Sequence, residues 1–485
     1  MRGTALMTDF SPIFRAGAKV HCVGMKGTGV SALVEILSAA GVSVTGSDAG
    51  GVFYTDAVLR AIGAPCFETF DAEHIKPDLD AVIYSAAYSP EQNTELLAAQ
   101  KLGIPILKYT DALGEYSKLF DSSSIAGVHG KTTTTAISGV LLRGVGLPAQ
   151  ILAGSAVSGF NGRSTLTLVD KPVYFVAETC EYRKHFLAFH PKRIVLTSVE
   201  SDHQDFFPTY EAIRDTFVEY VEKLPEKGEL IYCTDDKGAR EVVEIVKKSG
   251  LKTKFTPYGF SAEGNFRISR YKIEDERQIF ALAGFAEPFT LRVAGKHSVL
   301  DATAALALVS SIVEGAEGGW NEDRLAGARA ALEAFRGSKR RAEIIGEAGG
   351  VLFMDDYGHH PTAIKTTLEG LKAFYPHRRL VVSFMSHTYT RTAALFEQFA
   401  ESLALADVLI LHKIYASARE RYTGGVTGKT LFNRVKATHS AVYYAEEPLD
   451  AVPLVKEILR SGDLFLTLGA GDNWQLGEKM MRALQ

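Results

Sequence analysis

The sequence predicts an α/β chain of three domains, each built on a mostly parallel sheet. Three observations carry that prediction. Short β-branched runs recur along the chain, each followed by a Gly or polar turn and then a helix-patterned stretch, which is the signature of βαβ units. The 485 residues, at roughly 150 per domain, leave room for about three separate cores. The runs group into three blocks, 1–119, 120–335 and 336–485, with no short repeat or low-complexity tract between them.

The first block opens with strand KVHCV (19–23), turns through GMKGTG (24–29), continues as a helix over VSALVEILSAAG (30–41) and returns as a strand in VSVTGSD (42–48). Further strands fall at LDAVIYS (79–85) and IPILKY (104–109), and the polar stretch from Tyr116 to Ser124 reads as a linker. The second block starts at SIAGVHGKTTTT (124–135), carries strands KPVYFVAE (171–178) and RIVLTSV (193–199) and a helix over DATAALALVSSIVEG (301–315), and leaves through FRGSKRRAE (335–343). The third has strands VLFMDD (351–356), RLVVSFM (379–385), ADVLILH (406–412) and DLFLTLG (463–469). Residues 1–15 match no strong pattern and read as a loose leader, with Met7 an alternative start.

Composition narrows the function classes. Apolar residues make up 46% and charged residues 23%, ordinary globular usage. Lys and Arg number 53 against 57 Asp and Glu, a formal charge of -4, so no basic field exists to hold a phosphate backbone and nucleic acid is not an expected partner. Cys22, Cys66, Cys180 and Cys233 are far apart in sequence and form no CxxC pair, as thiols of a reducing compartment do. No signal-peptide pattern opens the chain and no unbroken apolar run of about 18 residues follows. A cytoplasmic location without membrane insertion is expected.

The strongest chemical signal is Gly127-Val-His-Gly130-Lys131-Thr132, between a short apolar run and a helix-patterned segment. Glycines let backbone N–H groups turn toward an anion, and the helix N-terminus adds positive potential. Lys131 neutralises phosphate charge, and the Thr132 hydroxyl can ligate magnesium. Ile125 stands where the longer GxxxxGK[ST] form has its first glycine, so this is the shorter GxxGKT cradle. Glu178 ends one predicted strand and Asp202-His203 lies just past another, so all share an edge with the cradle in a parallel sheet. A hard cation prefers oxygen ligands, which makes Glu178 and Thr132 the first metal pair. The imidazole of His203 is softer than magnesium usually chooses and is expected to contact phosphate or a metal-bound water instead.

In the first block GMKGTG resembles a dinucleotide fingerprint, with Asp48 near the distance at which an acid meets a ribose. Lys26 breaks that motif, crowding a pyrophosphate while adding charge for some other phosphate, which disfavours a nicotinamide cofactor. In the third block DDYGHHP (355–361) and SHTYTR (386–391) each follow a strand, placing Asp356, Tyr357, His359, His387 and Arg391 at one sheet edge. Arg391 suits bidentate capture of a carboxylate. The pair His359-His360 lacks the HExxH, CxxC or HxH pattern of a structural metal, so polar binding is the expectation there. His21, His74, His185 and His190 are isolated and read as surface or satisfied core histidines.

Taken together, GMKGTGVS, GSD, HGKTTTT, AETCEY, ESDHQD, GKHSVLDATAALA, GSKRRAE, DDYGHHPT and SHTYTRT resemble, in order and spacing, the Mur ligase family, the ATP-dependent amino-acid-adding enzymes of peptidoglycan synthesis. The resemblance spans nearly the whole chain. It implies a Rossmann-like nucleotide-sugar domain, a central P-loop ATPase domain and a C-terminal Rossmann-like domain that closes over ATP and receives the amino acid. ATP and Mg2+ are the implied cofactors. Gly127, His129, Gly130, Lys131, Thr132 and Thr133 would serve the phosphates, and Thr132, Glu178 and His203 the metal. His297 and Asp301 would lie on the adenine side, Arg341 against nucleotide phosphate and Asp356 on the ribose. Tyr357, His359, His387 and Arg391 would surround the acceptor amino acid. Gly27, Thr28, Gly29, Ser31, Asp48 and Ser85 would surround the uridine nucleotide.

The activity so implied is ligation of L-alanine to the lactyl carboxylate of UDP-N-acetylmuramate through an acyl phosphate, with Lys131, Glu178, His203, His359 and Arg391 as the catalytic set. No nucleic acid, membrane or obligatory protein partner is implied. Three features depart from the family. His297-Ser298-Val299-Leu300-Asp301 stands where HNxxN is usual, Lys26 replaces a common glycine, and LAGSAVSG (152–159) resembles the Gly-rich substrate loop only in part. RDTFVEY (214–220) offers no lysine where some relatives carry a carbamate. Within the family the alternative is a recycling ligase that attaches a whole peptide, against which HTYTR argues. Outside it stand a nucleotide-dependent oxidoreductase and an ATPase regulator.

Overall fold

The computed structural model describes residues 9–485 except 52, 54, 205, 417–419, 421 and 423. Among the described residues the strands form four sheets, of five, seven, three and six strands. The N-terminal sheet is wholly parallel, ordered Cys66–Phe67, Ser43–Ser47, Lys19–Val23, Ala81–Tyr84, Ile106–Lys108. Its strand order reverses beside Lys19–Val23, and the Gly24–Gly29 turn leaves the tip of that strand, where open α/β sheets leave a ligand crevice.

The central sheet runs Lys254–Tyr258, Glu229–Cys233, Arg193–Leu196, Asp121–Ala126, Tyr174–Glu178, Ala149–Val157, Arg163–Thr167, parallel except for the last strand. Val195, Ile125 and Val176 of its middle strands are fully buried, as expected where helices cover both faces. The C-terminal sheet runs Glu343–Ala348, Val351–Asp356, Leu464–Gly469, Leu380–Met385, Val408–Leu411, Val442–Tyr444, with only the first strand antiparallel.

Two expectations change, and one element was not foreseen. The stretch Tyr116–Ser124 is not a linker: Tyr116 and Ser117 finish the helix Tyr109–Ser117, the strand Asp121–Ala126 has begun by Ser124, and the Tyr116 ring is buried against Phe14 and Phe175. Polar Ser122, Ser123 and Ser124 misled the reading because a central strand can bury small hydroxyls that bond across to neighbours, as Ser122 does to His190 O. Met7 and residues 1–8 lie outside the described residues, but the rest of the expected leader is not loose. Ser11–Phe14 forms a short helical turn that buries Ile13 and Phe14. Finally, an antiparallel meander of Ile268–Glu274, Arg277–Leu282 and Phe289–Leu291 adjoins the central domain. Its first strand alternates with charged, exposed residues and gave no β-branched run to see.

The helix over 301–315 begins earlier, at Lys296, directly after Gly295 turns the chain at φ 95°. This helix is apolar and long enough to cross a membrane, yet 78% of its apolar window is buried within the protein. It packs against helix Lys131–Gly144, so the phosphate cradle rests on the central core.

Candidate active site

The cradle forms because strand Asp121–Ala126 ends at Gly127 and helix Lys131–Gly144 starts after Gly130, with φ of 141° and 80° at the two glycines. A side chain is excluded at Gly130, where a Cβ would lie 2.4 Å from Asp301 Oδ1. The loop is pinned to the neighbouring strand tip. Val128 N donates to Ser198 O (3.0 Å), and His129 N donates to Ser198 Oγ (2.8 Å).

Three adjacent strand tips converge here. Thr132 Oγ1 donates to Glu178 Oε1 at 3.0 Å, while Gly154 N donates to the other carboxylate oxygen at 2.6 Å. A Cβ on Gly154 would fall 2.5 Å from both oxygens, so the LAGSAVSG segment needs its glycine to approach Glu178. Lys131 Nζ donates to Gly127 O and lies 2.9 Å from Glu181 Oε2. His203 Nε2 lies 3.4 Å from the second Glu181 oxygen. Glu181 thus links Lys131 to His203. It stands in AETCEY three residues beyond the strand end, and sequence reasoning passed over it because it is not at the tip itself.

Electrostatics follow from this packing. Burial alone would push the Glu181 carboxyl up, but Lys131 and His203 outweigh it and hold the pKa below the ordinary value. Burial likewise works against the Lys131 ammonium, and Glu181, Cys180 and Glu178 reverse it, leaving the pKa raised. The lysine is therefore charged when a phosphate arrives. The hydroxyl of Thr132 and the carboxylate of Glu178 form an oxygen pair of the kind a hard divalent cation takes, so the donor set fits Mg2+. Thr133 sits half-buried in the same first helical turn.

Asp301, expected toward the adenine, is buried, accepts from Thr134 Oγ1 at 3.3 Å, and is pushed up to about 8 by burial. At neutral pH it is a neutral acid with an O–H, which restores a donor where the family's motif has an amide. His297 packs its ring against Gly295 and is lowered to about 4 by burial, so it stays neutral.

The C-terminal sheet presents its tips to the same region. Arg391, on helix Tyr389–Ala394, donates from Nε and Nη2 to Asp202 Oδ1 at 3.1 and 2.7 Å, and Nη1 lies 3.1 Å from His387 Nδ1. One edge of the guanidinium is thereby occupied by Asp202. His359 Nδ1 lies 2.9 Å from Tyr357 O, a carbonyl that can only accept, so Nδ1 carries the proton and Nε2 is the basic nitrogen. Burial first, and then Arg391, drives His359 well below the usual imidazole range and keeps it neutral, although Asp202 pulls the other way. The His359 ring meets Tyr357 and His387 edge-on at 5.0 and 5.4 Å. Both Asp356 oxygens accept backbone bonds, from Ala342 N at 2.7 Å and Gly358 N at 2.6 Å. Arg341 lies over the Tyr357 ring at 5.6 Å.

At the N-terminal switch point, Gly27, Thr28 and Gly29 lead into helix Thr28–Ala39, and Ser31 is buried in its first turn. Ser85 caps the adjacent strand, its N–H bonded to Val23 O at 2.9 Å. Asp48 holds the turn by accepting from Lys26 N at 2.7 Å and Tyr88 O–H at 2.9 Å. The expectation for Lys26 is corrected. Its buried ammonium lies 2.8 Å from Glu68 and 3.6 Å from Asp56, so its charge is neutralised inside the loop and not offered to a phosphate. His21 and His74, read as satisfied histidines, both face the buried Glu95, at 3.5 and 2.7 Å.

A phosphate cradle, an oxygen pair for a hard cation and a facing sheet edge with an arginine and a neutral histidine define an ATP-using carboxylate–amine ligase site. Family models agree: "Mur ligase family, catalytic domain" matches residues 19–121, "Mur ligase middle domain" 125–309 and "Mur ligase, glutamate ligase domain" 340–471. The chain belongs to the Mur ligase family. It is similar to the curated UDP-N-acetylmuramate–L-alanine ligase of Treponema pallidum, 51% identical over 463 residues that cover 96% of each chain. Its fold is that of the UDP-N-acetylmuramate–alanine ligase of Thermotoga maritima, with TM-score 0.75, 23% identity and 96% and 98% of the two chains covered. A murein peptide ligase from Psychrobacter arcticus shares the fold with TM-score 0.65, 23% identity and coverage of 96% and 99%.

Proposed function

We propose that the chain joins L-alanine to the lactyl carboxylate of UDP-N-acetylmuramate at the expense of ATP, in peptidoglycan precursor synthesis. The observation that carries this reading is the meeting of Lys131, Thr132, Glu178, Glu181 and His203 at three adjacent strand tips, facing the Arg391–His359 edge of the next sheet. Identity of 51% to a curated ligase of that specificity supports the choice of substrates.

A carboxylate is a poor electrophile, so the reaction needs a leaving group on it. A lactyl carboxylate oxygen attacks the γ-phosphorus of ATP, and the β–γ bridging oxygen departs with ADP. Lys131, held charged by Glu181, neutralises the oxygens of the transferring group. Thr132 and Glu178 would hold Mg2+, with His203, now against Glu181, as the third ligand the family resemblance implies; the cation would supply further neutralisation of phosphate charge. Alanine's amine then attacks the acyl carbon, and phosphate leaves with the former carboxylate oxygen. His359 Nε2 accepts the amine proton, its tautomer fixed by Tyr357 O. Arg391 receives the alanine carboxylate on the guanidinium edge that Asp202 does not take. Closure of the C-terminal domain keeps water from the acyl phosphate. These nucleotide substrates and four free thiols suit a cytoplasmic enzyme.

The test is omission of each substrate in turn, with mass detection of the product. UDP-N-acetylmuramoyl-L-alanine should form only when ATP, the nucleotide sugar and L-alanine are all present, with one phosphate released per amide. Product formed only with a peptide acceptor would place the chain with the recycling ligases. Nicotinamide oxidation without ATP would refute the ligase reading.

A further inference from the structure

Beyond the Mg2+ ligands, a second group of metal-ligating side chains crosses the seam between the central and C-terminal domains. We propose that His129, Glu200 and His360 bind a first-row transition cation of the Zn2+ class, separately from Mg-ATP. Their ligand atoms all lie within 4.8 Å of one another. His129 Nε2 is 2.9 Å from Glu200 Oε2, and His360 Nδ1 is 3.8 Å from the same oxygen. The two imidazole centroids are 5.2 Å apart.

The surroundings are those of a built site. Thr362 Oγ1 donates to Glu200 Oε1 at 2.7 Å, orienting the carboxylate as outer-shell partners do around bound metals. His129 is fixed at its backbone by Ser198 Oγ, which accepts from its N–H at 2.8 Å. His360 is only 4% exposed; its Nδ1, the nitrogen nearest Glu200, accepts one long bond from Thr362 N at 3.4 Å, and its Nε2 has no hydrogen-bond partner. Two imidazoles and one carboxylate are the protein donors a zinc site takes before water completes the shell, whereas Thr132 and Glu178 offer magnesium only oxygens.

The site has a functional consequence. His129 and Glu200 belong to the central domain, while His360 and Thr362 stand at the start of helix Pro361–Phe374 in the C-terminal domain. A cation held by all three staples the closed arrangement and slows the opening that each turnover requires. Zinc then inhibits without displacing Mg2+.

The experiment titrates the full chain with Co2+ under excess Mg2+ and reads visible absorption, which needs no ligase activity and so stands or falls apart from the function proposed above. One equivalent should bind with the intense spectrum of a four-coordinate ion. His360→Gln and Glu200→Gln should each weaken binding by about 10-fold or more. Zn2+ should displace the cobalt, and inhibition of Mg-ATP turnover by Zn2+ should weaken in parallel. Affinity unchanged in both variants would overturn the proposal, as would a weak six-coordinate spectrum abolished by Mg2+.

Discussion

Arg391 and Asp202 form a buried ion pair between two domains: both guanidinium donors, Nε and Nη2, reach a single carboxylate oxygen at 3.1 and 2.7 Å, and each side chain is 6% exposed. Removing one partner of such a pair strands a charge, typically at a cost of about 3–5 kcal/mol. Asp202→Ala should therefore lower stability in chemical denaturation and raise the KM for alanine, because Arg391 loses its anchor. The pH dependence has a definite sign. Burial works against the Asp202 carboxylate, but Arg391 above all holds it well below the usual range. Its contribution is thus present above pH ~4 and lost as pH falls through the depressed folded value. The variant should lack that acid-side loss.

Glu178 and Glu181 stand three residues apart yet should fail differently. Glu178→Gln removes one oxygen of the cation pair and should raise the Mg2+ concentration for half-activity by about 10–100-fold. Glu181→Gln leaves that pair intact and releases Lys131, so it should lower kcat by about 10²-fold with little change in Mg2+ dependence. Metal titrations of the two variants distinguish the roles, and identical Mg2+ curves would reject the division.

Asp301 predicts a slope in stability against pH. Its folded pKa near 8 lies above an unfolded value near 3.8, so the stability gained by protonation is complete at low pH and is lost as pH rises through 8. Between pH 5 and 8 the wild type should lose stability more steeply than Asp301→Asn, by up to about 1.4 kcal/mol per pH unit. Parallel curves would show that Asp301 ionises normally.

His359→Gln should separate the two chemical steps. Loss of the base at Nε2 should slow amide formation by about 10²–10⁴-fold while acyl phosphate still forms. Rapid-quench trapping of the acyl phosphate by reduction measures this directly. A variant that loses both steps equally would move the residue from proton transfer to substrate positioning.

Much of this architecture was readable as letters because parallel strands buried on both faces write continuous apolar runs. Val351–Asp356 and Lys19–Val23 fall at the boundaries the runs imply. Strand Asp121–Ala126 was hidden because its run of serines reads as a polar linker, although all three are buried and Ser122 bonds to His190 O. In the site, the glycines, Lys131 and strand-end carboxylates announce themselves by chemistry and position. Glu181, Glu200 and the pairing of Asp202 with Arg391 do not, because they depend on how loops fold back after the strand tips and on which domain faces which. Lys26 shows the same limit: its charge was visible, but the Glu68 and Asp56 carboxylates that neutralise it are distant in sequence.

ATP activates the muramate carboxylate as an acyl phosphate, a mixed anhydride, before alanine attacks. Substrate carrying ¹⁸O in the lactyl carboxylate measures this most directly, through the isotope content of the phosphate released. One ¹⁸O per phosphate, appearing only as amide forms with L-alanine, is the predicted result. Phosphate free of label, or released at the same rate without any amino acid, would contradict it.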